Sequence, residues 1–230
     1  GKVEKVIKND QGLSLFFDQN NEKIEIKGDV LLMAVGRKPY TDKLNLNKTD
    51  IELNKHGQIV VNANFKTSVP NIYAIGDVIA GPMLAHKASE EGYAVAEIIC
   101  SDIPVINYNN IPSIVYTYPE IAVVGKVERE LKEENIDYLV GRFPLLAHRR
   151  SRTTGDFDGA VQIFVNKKTD RILGASIVAA NAGDLIQEIV IAMEFKASSE
   201  DIARICFGHP SVSESIKEAS LAAFDKPIHI

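Results

Sequence analysis

The 230-residue chain has no tryptophan, only two cysteines and no apolar run near the length of a membrane span. A transmembrane helix needs about 20 consecutive, mostly apolar residues, so the sequence predicts no span. Cys100 and Cys206 lie far apart and match no metal-binding or redox spacing. Two such cysteines favour a reducing compartment, where we expect both to be small, buried apolar residues. The scattered histidines predict no metal site.

The chain also lacks an excess of basic residues. Its formal net charge is −5, which argues against a nucleic-acid partner, because neutralising phosphates requires a basic face. The one basic cluster, HRRSR at residues 148–152, predicts a solvated loop. The opening, GKVEKVIKND, is charged from its second residue and therefore predicts no signal peptide. Because it begins directly as a strand, we expect the chain to be cut from a longer one.

Hydrophobicity patterns organise the first half. With 45% hydrophobic and 25% charged residues, the composition is that of an ordinary globular protein. Alternation predicts a strand over residues 2–7 and a hairpin of strands 13–17 and 22–26 around the turn sequence DQNN. The continuously apolar run 30–35 predicts a strand that is covered on both faces.

The segment NIYAIGD predicts a short buried strand that ends at Gly76 and Asp77, before a helix over 84–100. A strand, a glycine, an acid, a loop and a helix make half of a nucleotide-binding α/β unit. In such a unit the Asp77 carboxylate can accept hydrogen bonds from sugar hydroxyls. The helix start near Pro82 would present unpaired N–H groups to a bound ligand.

The second half, after a break near residues 104–112, predicts a different order of elements. Strands are expected over 113–116, 122–124, 137–144, 160–165 and 172–179, and helices over 127–135, 182–195, 199–204 and 211–224. Ser198 or Ser199, with Glu200 and Asp201, predicts a capped helix start. The predicted fold class is therefore α/β in the first half and α+β, with a mostly antiparallel sheet, in the second.

Two short motifs carry candidate functional residues. In VGRKPYT, Gly36 permits a tight backbone passage beside a ligand, and Arg37 is suited to a phosphate or a carboxylate. In CFGHPSVSESIKEA, Pro210 suits the first position of a helix, which places His209 at its entry and Glu214 about one turn further in. A carboxylate bound to one imidazole nitrogen orients the ring as a base.

The residues alone leave two readings of the second motif open, an acid–base dyad or a capped helix start with a glutamate that suits the helix dipole. Other histidines are weaker candidates. His86 is predicted on the first turn of its helix, where it would contact the same ligand as Asp77. His56, His148 and His229 have no partner at a useful spacing and are expected to be surface or tail residues.

Longer strings in this order resemble the C-terminal half of a pyridine-nucleotide disulfide oxidoreductase over essentially the whole chain. The strings are VGRKPYT, FKTSVPNIYAIGDVIAGPMLAHKASEEG, IPSIVYTYPEIAVVG, GRFPLLAHRRSR, TDRILGASIVAANAGDLIQE and HPSVSESIKEA. Within that family, MLAHKA and the closing DKPIH favour the members that oxidise dihydrolipoamide over glutathione, trypanothione or mercuric reductases. The family's dinucleotide fingerprints and its CxxxxC pair are not in this sequence.

The resemblance implies domains and roles. Residues 1–36 would end an NAD-binding domain, 37–110 would form the C-terminal part of an FAD-binding domain, and 111–230 would form an interface domain that makes a homodimer. His209 and Glu214 would be the acid–base dyad for the dihydrolipoamide thiol. The residues implied to contact cofactors are Gly36, beside the nicotinamide of NAD, Asp77, on the sugar-like chain of FAD, and Met83, Leu84, Ala85 and His86, along the isoalloxazine edge.

The resemblance further implies an enzyme of 2-oxo acid dehydrogenase complexes, with lipoyl domains and the acyltransferase core as partners, in bacterial cytoplasm or the mitochondrial matrix. Electrons would pass through a disulfide and FAD to NAD⁺. This chain alone is expected to be inactive, because it lacks the disulfide. The alternatives are another flavin disulfide reductase, or a stand-alone dimerisation module in which His209 and Glu214 only cap a helix.

Overall fold

The computed structural model describes residues 2–10, 12–101 and 103–229. Contacts between Cα atoms divide the chain into two compact units, residues 1–95 and residues 96–230. Four positions within the three expected domains, residues 1, 11, 102 and 230, lie outside the described residues. Among the described residues, no helix is both long and apolar enough to cross a membrane.

The first unit begins with a three-stranded antiparallel sheet in the order β1, β2, β3. The strands are β1 (Lys2–Asn9), β2 (Gly12–Gln19) and β3 (Glu22–Gly28). Between β2 and β3, Asn20 and Asn21 both have positive φ, 56° and 66°. Asparagine tolerates this conformation, and two such residues form the turn whose twist matches a hairpin. The hairpin predicted around DQNN is therefore confirmed.

Two predicted buried strands of the first unit are wrong. Residues 30–35 form no strand, and the side chains of Val30, Leu32, Met33 and Val35 are between 70% and 87% exposed. A strand that is apolar on both faces needs neighbouring strands and covering helices, and the described residues supply none for this run. Residues 71–77 likewise form only an isolated bridge and a 3-10 turn, although Ala74 and Gly76 are buried.

The helix predicted over 84–100 is confirmed as α1 (Ala85–Ile99). Its first turn follows Pro82, Met83 and Leu84, and Ala94 is buried. Cys100, just after the helix, is exposed, as is Cys206 in the second unit. The expectation of two buried cysteines is therefore wrong, because both lie at the ends of helices, outside the packed faces.

The second unit is α+β, as predicted. Its elements are β4 (Ser113–Val115), β5 (Glu120–Gly125), α2 (Glu128–Glu133), β6 (Tyr138–Pro144), α3 (Arg149–Thr154), β7 (Ala160–Asn166), β8 (Ile172–Ala179), α4 (Ala182–Glu194), α5 (Ser199–Arg204) and α6 (Glu214–Ala222). The five strands form one antiparallel sheet in the order β4, β5, β8, β7, β6. Helix α4 packs on β8 and β5, and α6 packs on β6.

Of three local predictions in the second unit, one is confirmed and two are wrong. The HRRSR cluster is not a loop, because its last four residues form most of α3. The capped start of α5 is confirmed at Ser198, whose hydroxyl accepts the Asp201 N–H while the Asp201 carboxylate accepts the Ser198 N–H. Helix α6 does not start at Pro210. It starts at Glu214, because residues 211–215 form tight turns, with Glu214 N–H bound to Ser211 O.

A glycine in β6 lets α6 lie close to the sheet. The core of the second unit includes Phe143, Ile163, Ile177 and Ile216, each at most 1% exposed. A Cβ atom on Gly141 would overlap the backbone carbonyl of Ala219 on α6. Because α6 also carries Glu214, the close approach at Gly141 sets the position of the carboxylate at the start of that helix.

We expect Gly141→Ala to lower the free energy of unfolding by about 3 kcal/mol, because the added methyl group forces strand and helix backbones apart. Gly208→Ala is the matched control, since a Cβ there meets no atom within 4 Å. Urea unfolding of both variants measures the difference. Equal midpoints for the two variants would contradict the close packing of α6 on β6.

Candidate active site

The two predicted catalytic residues meet in the second unit. His209 lies in the turn between α5 and α6, and Glu214 is the first residue of α6. The Nδ1 atom of His209 lies 2.9 Å from Glu214 Oε1, and the other carboxylate oxygen, Oε2, accepts the backbone N–H of Ser211 at 2.8 Å. The His209 side chain is 57% exposed and that of Glu214 is 20% exposed. The dyad therefore has a buried side and an open side.

The Glu214 carboxylate is held in its ionised form. Burial, the largest single effect, would raise its pKa, but the hydrogen bonds from His209 and from the Ser211 N–H outweigh it, and the net pKa is below its ordinary value of 4.5. Its place at the N-terminus of α6 adds to this preference, since the helix dipole favours negative charge there. Glu214 is therefore an anion throughout the neutral pH range.

His148 is a third member of the site, and the expectation that it is a surface residue is wrong. Its side chain is only 6% exposed, and Nε2 lies 3.9 Å from Glu214 Oε2. It caps α3, with Nδ1 accepting the backbone N–H of Ser151 at 3.3 Å. The spacing of His148 and Ser151, three positions apart, could have indicated that His148 caps a helix. The sequence gives no sign that His148 lies near Glu214, because only folding brings these two residues together.

Acid is expected to destabilise the second unit through His148. Burial lowers the pKa of this imidazole below its ordinary 6.5, although Glu214 and Glu218 oppose that effect. The unfolded chain therefore takes up the proton first, and the free energy of unfolding falls as the pH drops below about 6.5. Urea unfolding at about pH 7.5 and 5.5 should show a smaller pH-dependent loss for His148→Asn than for the original chain. Identical losses would contradict a buried neutral ring.

His229 also has a partner, contrary to expectation. Its Nδ1 atom lies 2.7 Å from Oε1 of Glu218 on α6, and Glu218 Oε2 accepts the backbone N–H groups of Ile228 and His229. The Glu218 side chain is only 4% exposed. This carboxylate therefore holds the segment after α6 against the helix. His148, His209, Glu214, Glu218 and His229 all line one small pocket.

The geometry of His209 suits proton transfer. With Nδ1 bound to an ionised carboxylate, Nδ1 carries a proton and Nε2 is the nitrogen that accepts or releases one. Glu214 stabilises the imidazolium that forms when Nε2 is protonated. Within the described residues, no group of three or more histidine, cysteine or acidic side chains is placed to hold a metal ion. The His209–Glu214 pair has the geometry that acid–base chemistry needs.

The predicted cofactor residues lie in the first unit. Arg37 Nε is 3.3 Å from Asp77 Oδ2, and the Asp77 side chain is 38% exposed. Gly36, just before Arg37, has a φ of 113°, and a Cβ there would meet no atom within 4 Å. At the start of α1, Met83 and Leu84 are half-buried, whereas Ala85 and His86 are exposed. One ion pair thus joins the VGRKPYT segment to the turn at Asp77.

A buried ion pair braces the turn that carries Asp77. Lys87 and Glu91 on α1 are 1% and 0% exposed, and Lys87 Nζ lies 3.0 Å from Glu91 Oε1. Glu91 Oε2 accepts the backbone N–H of Gly76 at 2.7 Å, and Lys87 Nζ donates to the Gly76 carbonyl at 3.3 Å. Gly76 has a φ of 72°. The pair therefore fixes a left-handed residue directly before the Asp77 carboxylate, a role that the sequence did not reveal.

A solvent-facing histidine held by a carboxylate is an arrangement that can transfer protons. The family model for the pyridine nucleotide-disulphide oxidoreductase dimerisation domain matches residues 111–220, and that for pyridine nucleotide-disulphide oxidoreductase matches residues 1–92. The chain belongs to this family of oxidoreductases, as the motifs predicted.

Individual proteins of this family are similar to the chain in sequence or in structure. The mitochondrial dihydrolipoyl dehydrogenase of Pisum sativum is 50% identical over 91% of this chain and 42% of its own length. That of Cricetulus griseus is 52% identical over 87% of this chain and 40% of its own length. The Cu(II) complex of the HOCl-induced flavoprotein disulfide reductase RclA from Escherichia coli has a TM-score of 0.86 and 26% identity, over 96% of this chain and 49% of that one. The chain thus spans less than half the length of these relatives.

Proposed function

We propose that this chain is the C-terminal part of a dihydrolipoyl dehydrogenase, which oxidises dihydrolipoamide with NAD⁺ through FAD and a redox disulfide. The 2.9 Å contact between His209 Nδ1 and Glu214 Oε1 carries the proposal. Relatives about half identical to the chain are named for this activity. The engagement of both Glu214 oxygens, with the ring left open, favours a dyad over a helix cap in a stand-alone dimerisation module.

In this proposal His209 handles the thiol proton. A dihydrolipoamide S–H bond breaks as its proton moves to Nε2 of His209, leaving a thiolate and an imidazolium that the Glu214 anion stabilises. The thiolate is the reactive nucleophile in disulfide exchange. The disulfide that it attacks would belong to residues outside this chain, whose sequence contains no CxxxxC pair. We therefore expect the isolated 230-residue chain to have no turnover.

The first unit offers residues that fit a flavin and a nicotinamide. The partly exposed Asp77 carboxylate is available to sugar-like hydroxyls, and the open space at Gly36 admits the close approach of a ring. Met83, Leu84, Ala85 and His86 would lie along the isoalloxazine edge. When bound, FAD would relay electrons between the disulfide and NAD⁺.

The proposal extends to domains and partners. Residues 1–36 would end the NAD domain, 37–110 would belong to the FAD domain and 111–230 would form the interface domain of a homodimer. The exposed apolar run 30–35 supports this division, because the rest of an NAD domain would cover it. The partners would be the lipoyl domains and acyltransferase core of a 2-oxo acid dehydrogenase complex. The relatives' names favour the mitochondrial matrix over bacterial cytoplasm.

Substrate discrimination tests the proposed activity. The full-length enzyme that contains this chain is assayed for NADH formation with dihydrolipoamide and NAD⁺, and for reduction of glutathione disulfide with NADPH. Turnover with dihydrolipoamide alone supports the proposal. Turnover with glutathione disulfide alone would instead assign a glutathione reductase, and activity in the isolated chain would contradict the expected need for the other half.

A further inference from the structure

Helix α3 places a cluster of positive charge beside the dyad. Residues 138–155 contain four arginines and no acidic residue, in a chain whose net charge is −5. Three of the four lie on α3 and are exposed, and we call them the α3 arginines: Arg149, Arg150 and Arg152. Elsewhere in the described part of the chain, arginines form ion pairs at Arg37, Arg129 and Arg204. Within the same described residues the α3 arginines have no ion-pair partner, so their charges are open to another molecule.

The acidic residues near α3 are engaged elsewhere. Asp156 and Asp158 follow the helix and line a different small pocket, together with Tyr118. The Asp156 carboxylate accepts the Tyr118 hydroxyl at 2.7 Å. On the other side of α3, the Glu214 carboxylate is bound within the dyad. The positive charge of α3 is therefore not neutralised by a contact among the described residues.

The α3 arginines lie at the edge of the acid–base pocket. His148, the residue before the helix, lies 3.9 Å from Glu214, measured from Nε2 to Oε2. Arg149 lines the pocket that also contains His209 and Glu214. Because an α-helix rises about 1.5 Å per residue, Arg152 is only about 6 Å further along the axis than His148. The pocket has a volume of about 20 Å³, room for about one water molecule. A substrate can therefore place only its reactive end there, and the rest of it lies over the surrounding surface.

We propose that the α3 arginines are a docking surface for the acidic face of the protein domain that brings the dithiol to His209. The inference rests on the proposed function, in which the dithiol is a lipoyl group tethered to a protein. Exposed charges attract an opposite charge over about 10 Å at 0.1 M salt, which raises the rate of encounter. Charges at the rim of an interface act mainly on association and on its salt dependence. The α3 arginines thus favour the tethered dithiol over the same dithiol free in solution.

Initial rates of NADH formation by the full-length protein test this preference. Two substrates are compared at limiting concentrations, free dihydrolipoamide and a dihydrolipoyl domain of net negative charge. The readout is the ratio of kcat/KM for the tethered substrate to kcat/KM for the free one. Effects on the proton transfer at His209 cancel in this ratio, because both substrates share that step. The ratio is measured at about 0.01 M and about 0.15 M salt, where charges are screened over about 30 Å and about 8 Å.

Three double variants separate charge from structure. Arg150→Gln with Arg152→Gln removes two of the three charges, leaves the pocket-lining Arg149 in place, and inserts a residue that suits an exposed helix. Arg150→Lys with Arg152→Lys keeps both charges. The matched control is Lys167→Gln with Lys168→Gln, which also removes two exposed charges. These two lysines lie between β7 and β8, at the end of β7 far from the chain segment that forms α3.

At about 0.01 M salt we expect the arginine-to-glutamine variant to lower the ratio about fivefold. The arginine-to-lysine variant and the control should keep it within about twofold of the original. Raising the salt to about 0.15 M should lower the ratio more in the original protein than in the arginine-to-glutamine variant, because screening weakens an attraction that the variant has mostly lost.

An unchanged ratio in the arginine-to-glutamine variant would overturn the inference, and the α3 arginines would then be only a solvated surface. The same loss in the control would show a general effect of net charge, and the same loss in the arginine-to-lysine variant would reject an electrostatic surface. Absence of turnover with free dihydrolipoamide is a different result, since it would defeat the proposed function and this inference with it.

Discussion

His209→Gln in the full-length protein is expected to lower kcat for the proposed dihydrolipoamide oxidation by about 10²–10⁴-fold, the range that a lost general base produces. Glutamine can still donate a hydrogen bond to Glu214, so the turn before α6 should keep its shape. It has no nitrogen that exchanges a proton near neutral pH. Steady-state assays of NADH formation measure the loss.

His56→Gln is the matched control for this experiment. His56 is exposed and lies in the first unit, away from the dyad in sequence, so the same change there should leave kcat within about twofold of the original, as for an ordinary surface substitution. Unchanged turnover in His209→Gln would show that His209 and Glu214 only begin a helix, as in the dimerisation module.

The second large effect is expected in the first unit. Lys87→Met leaves the Glu91 carboxylate in a buried site without its ion pair, and removing one partner of a buried pair typically costs about 3–5 kcal/mol. The Gly76 N–H donates to Glu91 and the Gly76 carbonyl accepts from Lys87. We therefore expect the turn at Gly76 to be less firmly held in the variant. Urea unfolding, followed by a probe in the first unit, measures the change in free energy.

The surface pair of Glu128 and Lys132 provides the comparison. These residues are also four apart on a helix, with an Oε1–Nζ distance of 2.8 Å, but their side chains are 44% and 64% exposed. Solvent screens such a pair, so Lys132→Met should leave the unfolding midpoint almost unchanged. Adding Glu91→Leu to Lys87→Met should recover part of the loss, because no buried charge then remains. If Lys87→Met has no larger effect than Lys132→Met, the brace on Gly76 is rejected.

Local patterns predicted the elements whose partners are close in the chain. The hairpin around DQNN follows from two asparagines that tolerate positive φ, and the capped start of α5 follows from Ser198 and Asp201. His209 and Glu214 could be paired from the sequence because they are only five residues apart, in a turn that leads into α6. The exact start of α6 was missed, since tight turns at Ser211 compete with a helix that begins at Pro210.

Features that depend on distant residues could not be predicted. The burial of His148 and its 3.9 Å distance from Glu214 require the starts of α3 and α6, 65 residues apart in the chain, to come together in the fold. The contact of His229 with Glu218 depends on the chain folding back along α6. Residues 30–35 were predicted to be buried because the run is apolar. The run is exposed because the described residues include no strands or helices that cover it.

The most direct test of the dyad separates the two halves of the proposed reaction. In rapid-mixing experiments on the full-length His209→Gln enzyme, flavin reduction by dihydrolipoamide should slow by about 10²–10⁴-fold. Flavin reduction by NADH, which moves no thiol proton, should keep its original rate. Equal slowing of both reactions, or slowing of neither, would contradict the account in which His209, held by Glu214, carries the thiol proton.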